Sequence, residues 1–78
     1  MHQQDQPFTI TLADGISIQA LAIRERDTIT AYQLSIDGKY QGEVYPDTED
    51  AFIEWKSHDK MDSQIVVMIG RAIESHNA

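Results

Sequence analysis

TITAYQLSIDGKYQGEVY, residues 28–45, decides the fold of this chain. Two alternating runs rich in β-branched and aromatic residues flank Ser35-Ile36-Asp37-Gly38-Lys39, which reads as a β-hairpin. Strand side chains alternate between faces and cross-strand partners share one, so the loop length decides which residues become core. A two-residue loop of Asp37 and Gly38 sets Leu34 against Gln41 and Tyr32 against Glu43, mixing apolar with polar. A three-residue loop, Ile36-Asp37-Gly38, with Gly38 left-handed, instead pairs Leu34 with Tyr40, Tyr32 with Gly42 and Thr30 with Val44. That loop gathers one apolar face and is the one expected.

Ala13-Asp14-Gly15 repeats the same chemistry upstream and pairs Leu12 with Ile16, Ile10 with Ile18 and Phe8 with Ala20. Between the two hairpins, a loop of Glu25-Arg26-Asp27 pairs Arg24 with Thr28. Ile18 then meets Leu34 and Ala20 meets Tyr32, while on the opposite face Ile23 meets Ile29 and Leu21 meets Ala31. Pro46 lacks a ladder donor and ends the meander, and an acidic loop follows to Asp50. Residues 51–57 suit either a helix capped by Thr48 or a strand, and the β-formers Phe52, Ile53 and Trp55 favour the strand.

The last element is a helix from Asp62 or Ser63 to about His76, with Ile65, Met68, Ile69, Ala72 and Ile73 recurring at spacings of three and four. Gly70 costs up to about 1 kcal/mol of helix propensity against Ala, which marks a place where the helix packs closely. The expected fold is α+β: an antiparallel β-meander of four to five strands with one C-terminal helix packed on one face. Residues 1–6 read as a disordered Gln-rich leader and 7–78 as a single domain.

The composition sets limits on function. Six Lys and Arg against thirteen Asp and Glu give a formal charge of −7, which repels phosphate backbones and anionic lipids. Neither direct nucleic-acid binding nor membrane association is expected. The chain has no cysteine for a disulfide or thiolate site and no long apolar run, and a cytoplasmic location is expected.

Ser57-His58-Asp59 holds the residue types of a hydrolytic triad, but consecutive side chains do not converge as a triad must. His58, Asp59, Asp62 and His76 are potential metal ligands, yet capping and the helix dipole explain Asp62 and His76 more simply. Gly15, Gly38, Gly42 and Gly70 are scattered and form no phosphate cradle. No catalytic residue, metal or cofactor is assigned.

The expected function is that of a small acidic binding or adaptor module, with a protein partner or a second copy as its target. Once the helix has covered one face, Leu21, Ile23, Ile29, Ala31 and Tyr45, with Trp55, are left over as candidate partner-binding residues. The competing structural reading folds Pro46 to Lys60 back over this cluster, with Ile53 or Trp55 inserted as a satellite core. A small enzyme or metal-binding protein using the His58 region is the first alternative. The second is an inhibitor whose acidic residues between Asp47 and Asp62 imitate nucleic acid.

Overall fold

The computed structural model describes residues 6–48 and 53–77, so most of the proposed leader and residues 49–52 lie outside the description. Strands β1 (Phe8–Thr11), β2 (Ser17–Glu25), β3 (Thr28–Ile36), β4 (Lys39–Asp47) and β5 (Glu54–Lys56) precede one helix, α1 (Ser63–Asn77). The strands pair antiparallel in the order β1-β2-β3-β4-β5 and curve into a half-barrel, an α+β meander with α1 against its concave side. Ile10, Ile18, Ala20, Tyr32, Leu34 and Val44 of the sheet bury against Val66, Ile69 and Ile73 of the helix.

The first hairpin follows the expected register, with Phe8 opposite Ala20 and Ile10 opposite Ile18. Gly15 has φ 89°, its amide donates to the Leu12 carbonyl, and the Leu12 amide donates to the Ile16 carbonyl, both at 2.9 Å. The Asp14 carboxylate accepts the Ile16 amide at 3.1 Å. All of these bonds join near neighbours, so the turn is closed by its own residues.

The other two hairpins correct the expected loops. Ile36 pairs with Lys39 around a two-residue turn, with Asp37 at φ 50° and Gly38 at φ 80°. Positive φ at both central residues is the type I′ pattern, whose twist matches that of the strands. The register then slips between Leu34 and Ser35, leaving Gln41 as the extra residue, so that Leu34 faces Gly42 and Tyr32 faces Val44. The bulge restores the parity that a plain two-residue loop loses. Tyr40, expected in the core, pairs with Ser35 on the convex face and is 55% exposed.

Glu25 pairs with Thr28 around Arg26-Asp27, and Thr30 is bulged, so Ile23 faces Ala31 while Arg24 faces Ile29. Arg26 has φ 59°, a conformation that glycine adopts more readily. The bulge moves Ile29 from the expected convex face to the concave one. Ala22 packs against the core, Arg24 two residues on shares its side, and the partner of Arg24 shares it too; Ile29 accordingly packs against the core.

The expected fifth strand exists, although short. Trp55 faces Pro46 and turns under the helix, where a Cβ on Gly70 would collide with the indole Cγ. Gly70 is therefore the close approach read from the sequence, made to an indole. The contact rotates the helix, so Val66, Ile69, Gly70 and Ile73 are buried while Ile65 and Met68 of the expected stripe are exposed. Asp62 caps α1, its carboxylate accepting the Gln64 amide at 2.8 Å and its carbonyl the Val66 amide at 3.0 Å.

Candidate interaction surface

Of the six residues expected to form the patch, four lie together and two do not. Leu21, Ile23, Ala31 and Tyr45 are half-buried on the convex face by strand parity. Ile29 and Trp55 pack against the core under the helix. Trp55 donates its indole N–H to Glu74 at 3.1 Å and tilts against Tyr32 with ring centroids 5.9 Å apart. Tyr32 in turn accepts the Asn77 amide at 3.2 Å. Neither Ile53, 49% exposed, nor Trp55 is inserted over this cluster as the satellite-core reading expected; among the described residues of 46–60, His58 stacks on Tyr45 with ring centroids 4.7 Å apart.

The convex face divides by charge. Short of the β2–β3 turn, its outward positions on β1 to β3 are Thr9 and Thr11, then Ser17, Gln19, Leu21 and Ile23, then Ala31, Gln33 and Ser35, and none is ionisable. Glu25 first appears at the turn. On β4 and β5 the outward positions include Glu43, Asp47, Glu54 and Lys56. Within the neutral part, Gln19, Leu21, Gln33, Ser35, Tyr40 and Pro7 line a shallow hollow of about 260 Å³. Tyr40, Gln19 and Gln33 were missing from the sequence-derived patch. Gln19 and Gln33 could have been added, since both share the parity of Leu21; Tyr40 could not, since its side depends on the bulge at Gln41.

The charged part is held by local bonds. Lys56 Nζ lies 2.7 Å from Asp47 and 3.7 Å from Glu54. The hydrogen bond and charge of Asp47 hold the ammonium above the ordinary lysine pKa. Partial desolvation, then the Asp59 and Glu43 carboxylates, push the Tyr40 phenol up as well.

Ser57, His58 and Asp59 are a clip on the edge of β4. Ser57 Oγ donates to the Glu43 carbonyl at 2.5 Å and accepts the Asp59 amide at 3.1 Å. The Asp59 carboxylate accepts the Glu43 amide at 2.9 Å. The two side chains thus occupy the backbone groups that another strand would use, while His58 stacks on Tyr45. Asp62 caps the helix, and His76 stacks on Phe8 with centroids 4.0 Å apart. Among the described residues no three or more His, Asp or Glu side chains gather in a metal-binding group, and no helix is long and apolar enough to cross a membrane.

A second hollow, about 390 Å³, is lined by Ile29, Tyr32, Pro46, Ile53, Trp55, Glu74 and Asn77. Its polar groups are engaged with one another through the Trp55–Glu74 and Asn77–Tyr32 bonds. Among the described residues that line it, no nucleophile stands beside a base, the arrangement that acyl or phosphoryl chemistry needs. Compared with family models, curated proteins and solved structures, the chain matches none of them.

Proposed function

We propose that this protein is a binding module that presents the neutral β1–β3 part of its convex face to another protein. The supporting observation is the charge pattern: short of Glu25 and Thr28 at the β2–β3 turn, nine outward positions without an ionisable group, on a chain in which 24% of residues are charged. A folded surface is ordinarily about 25–35% charged, so two or three charges belong in an area of that size. Charge depletion around half-buried apolar groups marks the centre of interfaces, because burying an unpaired charge costs several kcal/mol.

Curvature selects the occupant. Two convex faces meet along a narrow line and bury little area, so a second copy fits this face poorly. The partner is a protein with a concave, uncharged surface, and the hollow between Leu21 and Tyr40 receives one of its side chains as an anchor. Without charge to steer the encounter, association proceeds at the unsteered rate of about 10⁵–10⁶ M⁻¹s⁻¹ and depends weakly on salt.

The test is capture of a partner by the wild-type chain, followed by titration of the purified pair beside Leu21→Glu. Expected is at least tenfold weaker binding by the variant, with an unchanged melting temperature and a nearly flat salt dependence for the wild type. Full affinity in Leu21→Glu, or affinity that collapses between 50 and about 200 mM salt as a charge-driven complex would, overturns the reading. The latter result would favour the acidic face instead.

A further inference from the structure

We infer that the free edge of β1 pairs with β1 of a second copy, antiparallel about a two-fold axis at Ile10, joining the two five-stranded sheets into one. This inference stands on its own observations and does not depend on the convex-face partner.

The edge is open. The Leu12 amide donates to the Ile16 carbonyl on the β2 side, and amides alternate along an antiparallel strand, so Phe8, Ile10 and Leu12 point their backbone groups at β2. Thr9 and Thr11 point theirs away. Both residues are exposed, and among the described residues nothing bonds those N–H and C=O groups. Exposed edges are normally blunted by charge, proline or a bulge. The opposite edge is treated that way: β5 spans only Glu54–Lys56, and its two charged residues are ion-paired at Lys56. Within β1, Phe-Thr-Ile-Thr, none of these devices occurs.

The same edge is self-complementary. With Ile10 opposite Ile10, Thr9 faces Thr11 of the second copy and Thr11 faces Thr9, and each pair exchanges both of its outward backbone bonds. Threonine sits opposite threonine on the convex side, a favourable cross-strand pair, while Phe8 comes opposite Leu12 on the concave side. Two chains of charge −7 repel, but this approach brings no charged strand residue across the seam.

The helix supplies an independent observation. His76 stacks on Phe8, which fixes the flank of α1 that faces β1. Ile65 lies eleven residues earlier, about three turns, on that same flank. Met68 and Ala72 lie between them at helical spacing. Ile65 is 45% exposed and Met68 38%, apolar side chains left open on that flank of the helix. Because α1 packs close to β1 and β5 across the mouth of the half-barrel, edge pairing sets the two helices side by side across the axis and covers these residues. An extended peptide added to the edge would leave them bare, which favours a second copy as the occupant.

Sedimentation of the full chain over a concentration series should show a monomer–dimer equilibrium. Thr9→Pro removes an outward N–H without touching the β1–β2 ladder, and should give a folded monomer, with dimerisation at least tenfold weaker. Ile65→Lys and Met68→Lys alter exposed side chains and should weaken it similarly at unchanged melting temperature. The chain has no cysteine, so register can be read by oxidation. Mixed Thr9→Cys and Thr11→Cys copies should cross-link readily, and Thr9→Cys alone poorly. A wild type that stays monomeric at millimolar concentration overturns the inference. So does a dimer that keeps its affinity in Ile65→Lys, or one that cross-links equally through either cysteine alone, whether or not Thr9→Pro folds. Leu21→Glu should leave the dimer intact, which separates this result from that of the convex face.

Discussion

The two halves of the sheet are finished in different ways. In the β4–β5 half, Trp55 is locked beneath Gly70, Lys56 is paired with Asp47, and Ser57 and Asp59 occupy the backbone of Glu43. Among the described residues, the Glu43 backbone groups beyond β5 are bonded by side chains of the chain itself. In the β1–β3 half the concave side is packed against the helix, yet the convex side short of the turn is neutral and, among the described residues, the β1 edge has no partner. The contrast teaches where to look for binding in a chain without a catalytic motif: the surface that the fold has not satisfied by itself. A region that already answers its own hydrogen bonds and charges gains little from a partner.

The contrast is most directly broken at Gly70. A methyl there meets the indole ring at a distance no Cβ tolerates, so Gly70→Ala should destabilise by about 3 kcal/mol, outweighing the roughly 1 kcal/mol of helix propensity it gains. Chemical denaturation measures this, and the double variant Gly70→Ala with Trp55→Leu should recover part of the loss. An unchanged midpoint in Gly70→Ala would remove the lock from the β4–β5 half.

A second comparison tests the bulge at Thr30 that separates inside from outside. Ile29→Glu places a carboxylate against the core and should cost about 2 kcal/mol. Ile23→Glu, on the convex face, should cost less than about 1 kcal/mol. Equal losses in the two melts would mean that both isoleucines share one face and that the register is unbroken.

Relief of strain has a smaller effect. Arg26→Gly at φ 59° should stabilise by up to about 1 kcal/mol, because glycine takes that conformation without the Cβ penalty. A loss of stability in this variant would count against the left-handed turn.

The pH response of the charged half should be slightest. The raised Lys56 ammonium adds stability below its unfolded pKa, and that contribution is lost as pH rises through its folded value. The pair is exposed, so the expected readout is local. Amide exchange in β5 should quicken, beyond the intrinsic rise with pH, while β1 and β2 do not follow. A Lys56→Met variant should lack this difference, and its persistence there would assign it to another group.

Local chemistry accounts for what the sequence determined unaided. The Ala13-Asp14-Gly15 turn, the Asp62 cap and the Gly70 close approach were legible because a residue's own type, or a partner a few positions away, settles each one. The strand order followed from short connections, and Leu21, Ile23, Ala31 and Tyr45 could be placed outside by parity alone. Tertiary structure decided the rest. One extra residue at Thr30 sends Ile29 inward, one at Gln41 sends Tyr40 outward, and the indole of Trp55 turns the helix so that Ile65 and Met68 face solvent. A bulge leaves no signature in the residue that forms it. It shifts parity for everything beyond, and whether that shift is favourable depends on how the whole concave face packs against a helix more than twenty residues away in the chain.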